Sequence, residues 1–235
     1  MRLRFPRGRC LRLPLAPYGL KTAFTTVGIF VALTIICAFF IGAYALLILI
    51  PAAFALYFFR DPERRGDETC DTAVLSAADG KVIAIADSEM PVGSGKATLV
   101  DVFLSVFDVH INRAPLAGRV VDVVYKRGEF LNALRSRAGD VNESNTIMLE
   151  VVGGQRIAVK QIAGVIARRI VCAVRSGDEL ACGQRLGMIK FGSRTQVYIP
   201  AEMGFEASVK VGQHVKAGKT VLGHIGKPKA PEAKT

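Results

Sequence analysis

Thr146-Ile147-Met148-Leu149-Glu150-Val151-Val152, then Gly153-Gly154, then Arg156-Ile157-Ala158-Val159-Lys160-Gln161-Ile162 is the stretch on which the fold turns. Two runs rich in β-branched and apolar residues, joined by glycines, read as a β-hairpin. The same texture continues outward in both directions. Toward the N-terminus lie a Val-rich run at 118–125 and an apolar run at 98–107. Before them come Val74-Leu75, Ala77-Ala78-Asp79-Gly80 and Lys81-Val82-Ile83-Ala84-Ile85, which read as strand, Asp-Gly turn, strand. Toward the C-terminus, 165–174 and 188–199 complete the series. Helical periodicity is scarce beyond residue 60, apart from a short turn around 131–137. Short strands at this spacing predict a mainly β domain, a sandwich or barrel.

One internal similarity narrows the choice. Val174-Arg175-Ser176-Gly177-Asp178-Glu179-Leu180-Ala181-Cys182-Gly183 recurs 35 residues later as Val209-Lys210-Val211-Gly212-Gln213-His214-Val215-Lys216-Ala217-Gly218. In both copies a glycine is followed three residues on by an apolar residue and three further by a second glycine, then by Leu-Gly. Glycines at fixed offsets mark turns that call for positive φ. The second copy resembles the hammerhead strands of biotinyl and lipoyl carrier domains. The expectation is therefore a barrel-sandwich, hybrid-like β domain, with two copies too few for a solenoid.

Ahead of this domain, residues 22–59 contain 38 consecutive positions without a charged side chain. A bilayer span needs roughly 20 apolar residues, so the run suits two short helices better than one. Gly42 lies near its midpoint and Pro51 is the other break. The run is too long for the apolar region of a cleavable signal peptide, and no clear small-residue cleavage site follows. Arg2, Arg4, Arg7, Arg9, Arg12 and Lys21 precede it, and Arg60, Arg64 and Arg65 follow it. Basic flanks on both sides predict a helical hairpin anchor with both ends, and the β domain, on the cytoplasmic side of the cell (inner) membrane. The expected division is a basic tail at 1–21, an anchor at 22–59 and a β domain at 60–235. The net charge of +11 suits anionic lipid headgroups. A nucleic-acid partner has no aromatic-interleaved basic patch to support it. The five cysteines, Cys10, Cys37, Cys70, Cys172 and Cys182, show no CxxC spacing. They are expected to be unpaired thiols, with no zinc site.

Few residues carry chemistry. The histidines are His110, His214 and His224. His110 follows an apolar strand, whereas the other two fall in the glycine-rich tail, where surface positions are expected. No HxH metal pair occurs. Ser193 lies in Met188-Ile189-Lys190-Phe191-Gly192-Ser193-Arg194-Thr195. Because residue 195 is Thr, this is not the G-x-S-x-G elbow of a hydrolase. A Gly-Ser pair instead offers an unhindered peptide carbonyl beside a hydroxyl nucleophile. Asp79 is a candidate carboxylate.

In this order along the chain, the motifs resemble one family. Phe58-Phe59-Arg60-Asp61-Pro62 closes the anchor, and Ser76-Ala77-Ala78-Asp79-Gly80 follows. Ser-x-x-Asp-Val-His-x-Asn-Arg-x-Pro spans 105–115, and Gly-Gln-Arg-Leu-Gly-Met-Ile-Lys-Phe-Gly-Ser-Arg spans 183–194. Together they look like the short form of phosphatidylserine decarboxylase. The resemblance implies self-cleavage between Gly192 and Ser193, with Ser193 converted to a covalent pyruvoyl cofactor and no metal. It implies two chains that stay together, β 1–192 and α 193–235. Phosphatidylserine would be the substrate, in membrane lipid, and phosphatidylethanolamine the product. Asp79 would serve base chemistry in self-cleavage, and His110 proton transfer in the active site. The long form carries a second histidine, linked to cleavage, where this chain has Arg113. The rival reading is a non-enzymatic membrane-anchored adaptor with a lipoyl-like β element, but no long helical hairpin splits that element here. A carrier domain lacks its Met-Lys turn.

Overall fold

The computed structural model describes residues 15–64, 72–135, 137–165, 169–190 and 193–226. Gly192 and most of the basic tail lie outside them. The chain divides into two compact units, 1–63 and 64–235.

The first unit is helical. α1 (Leu20–Ile41) ends at Gly42, whose φ of 57° and N–H bond to Ala38 O break the helix. A 3₁₀ turn (Gly42–Ile48) leads into α2 (Leu49–Phe58). Pro51 falls in the first turn of α2, where its missing N–H costs nothing. The two arms run back past each other. Ala16 N–H donates to Phe59 O at 2.7 Å, and Leu15 pairs with Arg60. Each arm is about 30 Å long at the usual rises for these helices. Leu20–Phe58 is long and apolar enough to cross a membrane. Phe39, Phe40 and Tyr44 at the bend are exposed.

The second unit is mainly β, built on one curled eight-stranded sheet that forms a half-barrel. Its strands are β2 (Gly80–Glu89), β3 (Lys96–Leu104), β5 (Gly118–Lys126), β6 (Ser144–Val151), β7 (Arg156–Ile162), β9 (Glu179–Leu180), β11 (Ser193–Pro200) and β13 (His214–Val215). They lie in the order β13-β2-β3-β11-β7-β6-β5-β9. Two three-stranded sheets accompany it. One joins β1 (Ala73–Leu75), β14 (Val221–His224) and β12 (Glu206–Ala207). The other joins β4 (Ile111–Arg113), β10 (Arg185–Ile189) and β8 (Ile170–Cys172).

Alternation decides what fills the core. Val100, Val102 and Leu104 of β3, Ile147 and Leu149 of β6, Ile157 and Val159 of β7, and Val197 and Ile199 of β11 share one buried cluster. The intervening residues face the other side of the sheet, where Ala97, Met148, Ala158 and Tyr198 form a smaller cluster. The 146–162 stretch is the expected hairpin, with Ile147 opposite Val159 and Leu149 opposite Ile157.

The sequence repeat becomes a structural one at the two edges of the sheet. Gly177, Gly183, Gly212 and Gly218 all take positive φ, between 65° and 95°. The first copy holds β5: Gly177 N–H bonds Val120 O, and Val120 N–H bonds Asp178 O. The second copy holds β2 in the same way, through Gly212, Val82 and Gln213. Each held strand starts with a glycine at close quarters. A Cβ on Gly80 would lie 2.0 Å from Phe103 O, and one on Gly118 would lie 2.4 Å from Glu150 O. Only glycine lets these backbones approach so closely.

Strand, Asp-Gly turn and strand follow one another at 74–85 as expected, but the two strands do not pair with each other: β1 pairs with β14, while β2 enters the large sheet beside β3. The pairing of β1 with a strand 150 residues on is set by packing, which the Asp-Gly dipeptide does not report. The run at 188–199 is two strands in different sheets, β10 and β11. The helical turn is α3 (Ala138–Val141), slightly later than expected. Cys172 is a free thiol, but Cys182 is disulfide-bonded. A bridge depends on a Cα separation of about 4.4–6.8 Å in space, which spacing along the chain does not reveal.

Candidate functional site

Ser193 is the first residue of β11, and the strand break that precedes it separates two sheets. Opposite it stands Leu104, the last residue of β3. From Leu104 the chain turns through 105–110 into β4, whose Ile111 pairs with Met188 of β10. Ile189 N–H donates to His110 O at 3.2 Å. The segment carrying His110 is thus laced at both ends to the segment carrying Ser193, and the register brings the two to one corner.

The inward face of β11 carries Ser193, Thr195, Val197 and Ile199. Both Ser193 and Thr195 are fully buried. Thr195 Oγ1 accepts from Asn112 Nδ2 at 2.9 Å, and Asn112 Oδ1 accepts from Gln161 Nε2 at 2.8 Å. Asn145 Nδ2 extends the chain to Gln161 Oε1 at 3.0 Å. All four members of this buried network are satisfied, as buried polar groups are as a rule. Ser193 Oγ, two residues away on the same face, has no hydrogen-bond partner among the described residues. His110 precedes Asn112 by two residues, as Ser193 precedes Thr195.

His110 is buried, and its Nδ1 lies 2.9 Å from Asp108 O. A carbonyl can only accept, so Nδ1 carries the proton and Nε2 is the basic nitrogen. Asp108 is itself fixed: its carboxylate accepts from Ser105 N–H at 2.8 Å and Ser105 Oγ–H at 2.7 Å. The Ser-x-x-Asp spacing is therefore a local turn that orients the imidazole. It is readable in sequence only as part of a motif.

Asp79 comes to the same end of the sheet. Lys81, Phe103 and Arg194 form one row across β2, β3 and β11. With strands about 4.8 Å apart, the Asp79 and Ser193 Cα atoms lie about 10 Å apart. The Asp79 carboxylate is already engaged. Arg64 grips it with both terminal nitrogens, through an Nη1–Oδ1 contact and an Nη2–Oδ2 bond of 2.6 Å. Ala217 N–H donates to Oδ1 at 2.8 Å, and Arg64 Nη1 also donates to Ala217 O at 2.7 Å. In sequence Arg64 shows only as a flanking charge. Arg113 is buried and donates to Gly183 O at 3.0 Å. Its Cδ lies close under Gly218, against the turn that holds Asp79. His214 and His224 are exposed.

Behind Ser193, on the outward face, the next residue makes a buried ion pair missed in the sequence. Arg194 donates through Nε, at 2.6 Å, and through Nη2 to the carboxylate of Asp101, which is fully buried in β3. Gln196 Nε2 donates to the same carboxylate at 2.8 Å, and Tyr198 Oη donates to Gln196 Oε1 at 2.8 Å. Burial, then the Asp101 charge, pushes the Tyr198 hydroxyl up to about 12. Burial pulls the Lys160 ammonium, which donates to Gly139 O at 2.7 Å, below its ordinary range. Lys190, three residues ahead of Ser193, is also lowered, by burial and then by Arg169. The signal for the Arg194 pair is one aspartate in the middle of an apolar strand.

Comparison with known proteins gives a consistent result. The family model described as phosphatidylserine decarboxylase matches residues 52–223. A phosphatidylserine decarboxylase proenzyme of Symbiobacterium thermophilum is 46% identical over 201 residues, which cover 85% of this chain and 92% of that protein. One of Citrifermentans bemidjiense is 43% identical over 189 residues, covering 80% and 83%. One of Ruegeria pomeroyi is 42% identical over 216 residues, covering 90% and 95%. The match runs from the end of the helical unit through β14, and on it the chain belongs to the phosphatidylserine decarboxylase family.

Proposed function

We propose that this chain is a membrane-attached proenzyme that cuts itself between Gly192 and Ser193 and then converts phosphatidylserine to phosphatidylethanolamine. The names of its relatives supply the substrate, the reaction and the precursor state. The observation that carries the reading is the Ser193 hydroxyl, buried at a strand break without a hydrogen-bond partner among the described residues. Such a group costs about 1–3 kcal/mol. A hydroxyl that is to be consumed needs no lasting partner, so the position fits one where Oγ leaves Cβ and a ketone forms at Cα.

The chemistry then balances as follows. Ser193 Oγ adds to the Gly192 carbonyl carbon and gives up its proton, and the C–N bond breaks to leave an ester and a free amine. Loss of the Ser193 Cα proton expels the Gly192 carboxylate from Cβ. The dehydroalanine left at 193 takes up water and releases ammonia, leaving a pyruvoyl ketone on a 193–235 chain. When in place, that ketone supplies an electron sink for the pair released as CO₂ leaves the serine headgroup. His110, with its Nδ1 proton held by Asp108 O, presents Nε2 at this corner to accept or return a proton. Asp79, held by Arg64 and Ala217, keeps the 217–218 turn and the start of β2 in register. To act as a base in cleavage it must first give up a donor. The α1–α2 hairpin attaches the β domain to the bilayer that holds the substrate, with both hairpin ends on the cytoplasmic face.

Intact-mass analysis of the purified protein tests the reading. Two chains are expected, the smaller starting at 193 with a blocked, hydrazide-reactive end. Ser193→Ala should remain one inactive chain. An active protein of 235 uncut residues would overturn the proposal.

A further inference from the structure

The buried Arg194–Asp101 pair has no evident use in an uncut chain. Burying an ion pair costs desolvation that a well-packed apolar pair avoids, so such pairs are weak sources of stability. Its place in the sheet suggests another use, one that rests on the self-cleavage reading. Before scission, β11 is continuous with the chain ahead of it. After scission, residue 193 is a terminus, and strand ends fray unless they are tied down.

The ladder holds residue 193 poorly. Ser193 is paired on one side only, with Leu104 of β3. Arg194 is the first residue paired on both sides, with Phe103 of β3 and Ile162 of β7. It is also the first residue with a side chain locked to the body of the sheet. Its guanidinium grips Asp101, which lies in the row of Gln196, two residues further along, and Gln196 closes on the same carboxylate. A contact at 3.3 Å from Nη1 to Arg135 O ties the guanidinium to the segment covering that face. Arg194 is 8% exposed and Asp101 fully buried, so water does not compete for the bond.

We propose that the Arg194–Asp101 pair is a positioning device for the cut enzyme, clamping the new end of the 193–235 chain so that its first residue stays at the His110 corner. The pair acts across the sheet from the reacting residue, and it matters only once the 192–193 bond is gone. Arg194 and Asp101 are therefore positioning residues that touch no substrate atom.

The test removes both partners together, since deleting one would strand a buried charge and endanger folding. Asp101→Leu with Arg194→Met is made in the full chain, and in a second copy also carrying Ser193→Ala, which cannot be cut. Amide hydrogen exchange over 194–199 is read in both. The expected result is native-like protection in the uncut form and at least tenfold faster exchange at 194–195 in the cut form. Decarboxylation of phosphatidylserine in mixed micelles should lose at least tenfold in kcat, with KM little changed. Equal protection and kcat in cut native and cut variant enzyme would overturn the clamp while leaving self-cleavage intact. A variant that does not cut would also overturn it, by placing the pair in the scission step. If the native chain itself proves uncut and active, the self-cleavage reading falls, and the clamp with it.

Discussion

At the scale of single residues, the corner built by Ser193, His110 and Asp79 separates three kinds of burial. Ser193 Oγ has no hydrogen-bond partner among the described residues, His110 Nδ1 faces the Asp108 carbonyl, and Asp79 is occupied by an arginine and an amide. Since Ser193 Oγ makes no bond to His110, the proposed cleavage would not rest on a preformed Ser-His pair. His110→Ala should therefore still be cut at 192–193 but turn over phosphatidylserine about 10²–10⁴-fold more slowly. Released CO₂ measures the second effect and denaturing electrophoresis the first; an uncut His110→Ala chain would reassign this histidine to cleavage. Asp79→Asn keeps an oxygen for Ala217 N–H but loses the charge facing Arg64. Slower self-cleavage with the fold retained is expected, read as the uncut fraction over time. Arg64→Met strands a buried carboxylate instead, and should cost about 3–5 kcal/mol of stability in urea unfolding of the uncut Ser193→Ala background. Indifference of both variants would remove this pair from the site.

Among the elements, β11 does most to join chemistry to fold. Its inward residues continue a satisfied amide chain, Asn145–Gln161–Asn112–Thr195, up to Ser193, and its outward residues carry the Arg194–Asp101–Gln196–Tyr198 network. One strand thus presents a core face and a polar face, both buried: Gly139 and Arg135 lie against Gln196 and Arg194, and Met90, Val92 and Val121 pack on the cluster that holds Tyr198. That cover makes Tyr198 a reporter. Its hydroxyl is raised to about 12 from 10.0, so below pH 10 it is protonated in both folded and unfolded chains and its contribution is whole. Between about pH 10 and 12 only the unfolded chain loses the proton. Stability therefore falls as pH rises through that window, by at most about 2–3 kcal/mol. Ultraviolet titration of the five tyrosines should show a last step near pH 12, and Tyr198→Phe should abolish that step. A variant with an unchanged titration would show that Tyr198 is accessible.

For the molecule as a whole, two units have opposite relations to water. The helical unit leaves Phe39, Phe40, Ile35 and Tyr44 exposed, whereas the β unit buries most of its large apolar side chains in a main core and a smaller cluster. A bare apolar hairpin is stable only where lipid covers it, with its backbone bonds satisfied inside the helices. The bond from Ala16 to Phe59 holds the two ends together, so both should emerge on one side. In sealed membrane vesicles, an N-terminal epitope and the β unit are expected to be digested from the same face. Digestion from opposite faces would refute the hairpin.

Several features are determined by the sequence alone because they are local. Alternation marks the strands at 146–162, the paired glycines at 177, 183, 212 and 218 announce turns with positive φ, and the uncharged run at 22–59 announces helices with a break at Gly42. The Gly-Ser pair and the Ser-x-x-Asp-Val-His motif single out Ser193 and His110 by chemistry and spacing. Only the tertiary structure decided the rest. Arg64 finds Asp79 across 15 residues, Arg194 finds Asp101 across 93, and Asn112 finds Thr195 across 83. It also split 188–199 between two sheets, β10 in one and β11 in the other. The physical reason is that φ preference and side-chain alternation act between near neighbours in the chain. Ion pairing, register and burial depend on distances across a folded sheet.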